Sequence, residues 1–182
     1  MVGTNGCASV DVSSSYFVFC SCGTSGGGSS THIGPSCSIS SSCFVFCTAN
    51  WGGGGVYHNS GSPSSSLTIS DSLFTQNIAY ARDRNDRGGG GFEDWRDSTY
   101  FSKCSFSFFS DNSAPNCVGY DICSHERDFG LENIVQCFTT TTLNSFYNHG
   151  SHVENWLALT NIPVDLDSYS SIHKLFTLHN KK

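Results

Sequence analysis

The stretch Val12-Ser13-Ser14-Ser15-Tyr16-Phe17-Val18-Phe19-Cys20 returns 27 residues later as Ile39-Ser40-Ser41-Ser42-Cys43-Phe44-Val45-Phe46-Cys47, with seven of nine positions identical. The glycines Gly26-Gly27-Gly28 return at the same spacing within a block at residues 52–55. A third copy opens at Ile69-Ser70-Asp71-Ser72-Leu73-Phe74, 30 residues on, and reaches glycines at residues 88–91. A fourth reads from Phe101-Ser102-Lys103-Cys104-Ser105-Phe106, 32 further, and a weaker fifth from Ile134-Val135-Gln136-Cys137-Phe138, 33 further. Repetition at this period marks a solenoid, whose units cannot bury an apolar face alone and do so by stacking. Loops absorb the uneven spacing: the third copy carries a charged insert at residues 81–87, and its glycines lie furthest from its start.

In the second copy Ile39, Cys43 and Cys47 fall on one parity, Phe44 and Phe46 on the other. Short β-branched and aromatic runs bounded by Gly, Ser, Asn and Asp are strand signals, and no helical period is sustained before the last thirty or so residues. The predicted fold is all-β, a right-handed parallel β-helix of about five rungs. Residues 1–150 hold the repeats, and residues 151–182 form a terminal rung or capping segment. The tail earns that reading from a denser aliphatic run, with Val153, Trp156, Leu157, Leu159 and Ile162, suited to covering an open end. Rungs about 4.8 Å apart would give a column on the order of 24 Å long, with Phe, Cys and Ser ladders running along it. Asn77 and Asn112 follow the strands, where an Asn side chain bonds turn backbone and tolerates the left-handed conformation. The glycine blocks suit chain reversals that need positive φ.

Phe74 to Asn77 with Ala79, and Phe109 to Asn112 with Ala114, spell Phe-x-x-Asn; Gly53-Gly54-Gly55-Val56 and Gly89-Gly90-Gly91-Phe92 supply a Gly-Gly element, degraded at Gly119-Tyr120-Asp121-Ile122. This pairing resembles the repeat of polymorphic outer-membrane proteins and related right-handed β-helix repeats of microbial and protist surface proteins, over residues 9–148. The first two copies lack Phe-x-x-Asn, and Gly stands where Ala usually follows the glycine pair. The resemblance implies the pectin-lyase-like fold and an extracellular or cell-surface location.

Composition narrows the partners. A net charge of −6 without a basic stripe argues against nucleic acid, because nothing is positioned to neutralise phosphates. No segment is apolar for long enough to span a bilayer as a helix, so membrane association is expected only through segments outside this chain. The N-terminus has no signal-peptide pattern and reads as though already inside a repeat, as expected of a fragment. The 10 cysteines fit either disulfides or thiols packed as small apolar groups, the latter being the expectation. Cys20 and Cys47 hold equivalent positions and should stack.

Enzymes of the pectin-lyase-like superfamily act on acidic polysaccharides, through carboxylate pairs or calcium-binding acids with a basic partner. The dense acidic region here is Asp83, Asp86, Glu93, Asp94 and Asp97, interleaved with Arg82, Arg84, Arg87 and Arg96. Asp86, Glu93, Asp94, Trp95 and Arg96 are the carbohydrate-binding candidates: Arg for bidentate grip on a sugar carboxylate, Trp for stacking on a sugar ring. The competing reading of the region is a solvated, self-neutralising loop. Asp83-Arg84-Asn85-Asp86-Arg87-Gly88 misses a calcium loop because Arg87 occupies a ligand position. Asn148-His149-Gly150 with His152 reads as a turn rather than a polygalacturonase site, since the flanking aspartates are missing. No zinc spacing or phosphate loop occurs. No catalytic residue, metal site or cofactor is therefore assigned. The expectation is a non-catalytic extracellular or cell-surface β-helix for adhesion, carbohydrate binding or structure, with polysaccharide or surface glycan as partner. The alternative is a fragment of a polysaccharide lyase or glycoside hydrolase.

Overall fold

A computed structural model describes residues 2–5, 9–32, 36–60, 66–80, 88–96, 103–116, 120–124, 134–135, 137–139 and 146–148. Among them every regular element is a strand. The chain first runs through β1 (Val2–Asn5), β2 (Ser9–Ser13), β3 (Tyr16–Val18) and β4 (Ser21–Cys22), then returns as β5 (Ser29–His32), β6 (Ser36–Ser40), β7 (Cys43–Val45) and β8 (Thr48–Ala49). It continues as β9 (Val56–Ser60), β10 (Leu67–Ser70), β11 (Leu73–Thr75) and β12 (Ile78–Ala79), then β13 (Phe92–Arg96), β14 (Lys103–Ser105) and β15 (Phe108–Ser110). The last described strands are β16 (Ile122–Ser124), β17 (Ile134–Val135), β18 (Phe138–Thr139) and β19 (Phe146–Asn148).

Successive copies pair in parallel. Sheet A is β1-β5-β9-β13-β16-β19, sheet B is β2-β6-β10-β14-β17, sheet C is β3-β7-β11-β15-β18, and sheet D is β4-β8-β12. The bridge Ile78↔Ser113 extends sheet D. Non-consecutive neighbours in every sheet, all parallel, make a coil of stacked repeats, a parallel β-helix-like fold. The predicted C-terminal cap lies outside the described residues.

Register follows the repeats, with one correction. Val12, Ile39 and Ile69 stand over one another, but the next residue in the column is Cys104, not Phe101. The corner fixes this. Ser72 N–H donates to Ser107 Oγ across 35 residues, so Asp71-Ser72 aligns with Phe106-Ser107. Apolar pattern alone puts the fourth copy three residues out of register, because the corner serine and not the apolar letter sets the alignment.

Among the described residues, three recurring bends shape the coil. The first places Ser14, Ser41, Asp71 and Phe106 at φ near 48–49°, and the second Phe19, Phe46, Gln76 and Asp111 at 53–55°. A non-glycine residue there costs roughly 1–2 kcal/mol. The cost is offset because the bend N–H groups of the first three copies donate to the next copy, as Ser41 does to the Ser70 carbonyl (3.2 Å) and Gln76 to the Ser110 carbonyl (2.9 Å). Such a bend resets strand parity, so the single alternation expected across residues 39–47 does not hold. Ile39, Phe44 and Cys47 all enter the main core, whereas Cys43 and Val45 join Leu73 in a separate cluster. The third bend uses glycine. A Cβ on Gly53 (φ +63°) would overlap the Val56 carbonyl oxygen. Gly53→Ala is expected to lose more than about 2 kcal/mol in urea unfolding, combining strain with overlap.

The interior is a phenylalanine stack. Phe17 and Phe44 have ring centroids 4.7 Å apart, Phe44 and Phe74 5.0 Å, and Phe74 and Phe109 5.0 Å, with the ring planes nearly parallel in each pair. Phe92 tilts against both Phe74 and Phe109 from sheet A.

Candidate functional site

Two polar ladders line the bends. At the corner between sheets B and C, Ser15, Ser42, Ser72 and Ser107 each donate a hydroxyl hydrogen bond to the carbonyl two residues back, at 2.7–2.9 Å. The hydroxyl oxygens of Ser42, Ser72 and Ser107 in turn accept the N–H of the equivalent serine in the preceding copy. At the next bend Asn77 Oδ1 accepts the Cys47 N–H (2.9 Å), while Asn77 Nδ2 donates to the Phe44 carbonyl (2.9 Å) and to Asn112 Oδ1 (2.9 Å). Asn112 Nδ2 donates to the Phe74 carbonyl and to Asp121 Oδ1, and Asp121 also accepts the Thr139 hydroxyl. The left-handed residue is the one before each asparagine, Gln76 or Asp111, so the asparagine serves the ladder instead. Cys20 and Cys47 occupy the equivalent place in earlier copies. The Cys47 thiol donates to the Phe17 carbonyl (3.4 Å), a weaker version of the same contact.

The carbohydrate-binding candidates fall on β13. Asp86 lies outside the described residues, as do the rest of residues 81–87 and Asp97. Glu93 pairs with Tyr57 and Cys123, Asp94 with His58 and Ser124, Trp95 with Asn59, and Arg96 with Ser60. Glu93 and Asp94 are 0% exposed, and Trp95 is half-buried. The solvated-loop expectation therefore fails for Glu93 and Asp94, because β9 and β16 flank their strand on both sides. Room for Glu93 comes from a missing side chain: a Cβ on Gly52 would overlap its carboxylate.

Asp94 shares the face of Phe92, two residues before it, and stands in a column with Thr31, His58 and Ser124. All four are buried, and Thr31 Oγ1 lies 2.6 Å from His58 Nδ1. Hydroxyl, imidazole and carboxylate are the residue types of a nucleophilic triad. Here they sit on successive strands with His58 and Asp94 wholly enclosed, so the arrangement reads as an internal polar ladder. Sequence reasoning missed Thr31 and His58. The available signal was positional, because Thr31, His58 and Asp94 each stand three residues after the last glycine of their block.

The eight described cysteines are thiols. Burial pushes the Cys37 thiol up to about 12, with the nearby carboxylates of Asp11 and then Asp94 adding to the effect. Burial likewise pushes Cys43 and Cys47 up to about 12. An unfolded thiol titrates near 9.0, so folding favours the protonated form. That stability is intact below pH 9.0 and is lost as pH rises from there toward 12. Cys37→Val, matching its neighbours Val10 and Leu67, should flatten the fall in urea stability above pH 9.0 by on the order of 1 kcal/mol per pH unit. An unchanged slope in the variant would refute the assignment.

Sheet C is apolar on its outer face as well. Opposite the Phe17–Phe109 stack run Tyr16, Cys43, Leu73 and Phe108, beside Val18 and Val45. Phe46 and Phe108 pack on the buried part of this surface. Its β3 end is open: Tyr16 is 56% exposed, Val18 44% and Phe19 74%, with Phe19 stacked on Phe46 at 4.9 Å. A contiguous exposed apolar surface of this kind marks a contact site more often than scattered single residues do. Among the described residues no three His, Cys, Asp or Glu groups are placed to hold a metal ion. Trp51 is half-buried and its backbone N–H donates to the Thr24 carbonyl, while His149, His152 and Trp156 lie outside the described residues.

No family model, curated protein or solved structure matches this chain.

Proposed function

We propose that the chain forms a non-catalytic right-handed parallel β-helix of about five rungs, closed by residues 151–182 and of the pectin-lyase-like kind, that serves adhesion, carbohydrate binding or structure outside the cell or at its surface. The observation that carries this reading is the outward apolar surface of Tyr16, Val18 and Phe19, two of them aromatic, beside the Phe19–Phe46 stack. Sugar rings present C–H faces that stack on aromatic side chains, and a surface glycan is the partner this surface suits. The interior supports the same reading. Its serines and asparagines are bonded to backbone along the coil, which makes them structural ties.

A glycan array probed with the full chain tests it. Wild type is expected to bind, and the double variant Tyr16→Ser with Phe19→Ser to lose at least tenfold in signal while keeping its far-ultraviolet β spectrum. Binding that survives the double variant would remove the aromatic surface from the account. Incubation with pectin and alginate separates the alternative: release of reducing or unsaturated ends, abolished in Asp86→Ala, would show a lyase or hydrolase fragment instead.

A further inference from the structure

Cys104 and Cys137 bring their sulfurs to 3.5 Å in the buried interior. Each breaks the pattern of its own column. Cys104 stands in the sheet B column with Val12, Ile39, Ile69 and Ile134, where every other member is a branched aliphatic. Cys137 precedes Phe138, which pairs with Phe108, so it takes the corner place that Ser15, Ser42, Ser72 and Ser107 hold in the other copies. Neither column needs a thiol, yet the two exceptions meet. Their geometry also differs from that of an in-register pair. Residues directly above one another on parallel strands send side chains alongside each other about 4.8 Å apart, which suits stacking rather than bridging. Cys104 approaches from a strand and Cys137 from the next corner, so the two side chains converge. Closing from the present separation to a bond of about 2.05 Å asks for roughly 1.5 Å of movement.

We propose that Cys104 and Cys137 form a disulfide linking neighbouring repeats when the chain folds in the presence of a small-molecule disulfide such as oxidised glutathione. One cysteine thiolate displaces a glutathione thiolate from the oxidant, giving a mixed disulfide. The second cysteine, losing its proton to solvent, attacks the protein-side sulfur and releases the other glutathione thiolate. Both cysteine sulfurs are oxidised, one glutathione disulfide is reduced to two glutathione thiols, and the two protons end on those thiols. Burial raises the Cys104 thiol well above its ordinary value, so the exchange belongs to folding, before the interior closes. Afterwards the same burial shields the bond from reductant.

The test is refolding of the full chain in a glutathione redox couple, acid quench, alkylation and mapping of unreduced peptides. The expected result is one peptide pair joined through Cys104 and Cys137, about 2 Da lighter than the two thiol peptides together. The cross-link closes a span of 33 residues, and the oxidised chain should melt roughly 5–10 °C above the reduced one. Cys137→Ser, which restores the serine of the other corners, should refold to the same β spectrum with no linked pair and a midpoint indifferent to reductant. Recovery of both residues as alkylated thiols from the folded wild type would overturn the proposal. So would a linkage of Cys104 to a different cysteine, or a redox-dependent midpoint that persists in Cys137→Ser.

Discussion

Asn77→Leu is expected to cost about 3–5 kcal/mol in urea unfolding followed by far-ultraviolet circular dichroism. The substitution keeps volume but removes an acceptor and a donor that together hold three neighbours: the Cys47 N–H, the Phe44 carbonyl and the Asn112 amide. Asn77 is fully buried, so water does not replace these partners, and each group left behind carries its own desolvation cost of about 1–3 kcal/mol. Two comparisons make the number interpretable. Asn77→Cys copies what the second repeat uses at Cys47, keeps a weak donor toward the carbonyl and should cost less than half as much. Asn116→Ala removes a single bond from an exposed side chain to the Tyr80 carbonyl and should cost about 1 kcal/mol or less. If Asn77→Leu fell as low as Asn116→Ala, the ladder would not be holding the bend.

Phe44→Ala is expected to lose about 3–5 kcal/mol by the same measurement. Its ring is sealed from solvent and stacked on both faces, by Phe17 and Phe74, and its edge fills the space over Gly28. Truncation removes the buried surface and leaves a cavity, because neighbouring rings are held on their own strands by parallel pairing and cannot all shift inward. Phe19 sits only two residues beyond Phe17 and also stacks on a phenylalanine, yet it is largely exposed. Phe19→Ala should cost about 1 kcal/mol or less. Equal losses at Phe44 and Phe19 would show that the buried ring of the stack and the exposed ring at the bend had been assigned wrongly.

The contrast between these phenylalanines was only partly legible from sequence. Phe17, Phe44 and Phe74 announce themselves as equivalent, because the repeats that carry them match. Whether Phe46 turns in or out depends on the bend at Phe46 itself, and phenylalanine is not a residue type that favours positive φ. The same limit governed the carbohydrate-binding candidates. Glu93 and Asp94 look like a continuation of the charged segment before them, since chain position alone says nothing of the strands on either side. Once β9 and β16 flank them, surface charges become buried groups next to Tyr57 and His58.

By itself the sequence determined the all-strand character, the stacking of successive copies and the phenylalanine column. Those follow from local pattern repeated at a nearly constant interval, which any stacked arrangement of the copies must respect. Tertiary structure decided the registration of the fourth copy at Cys104, the parity reset at each corner, the burial of Glu93 and Asp94, and the meeting of Cys104 with Cys137. Each of these depends on hydrogen bonds between residues some thirty positions apart. Such bonds hold serine, aspartate and phenylalanine in a backbone conformation that none of them would choose alone.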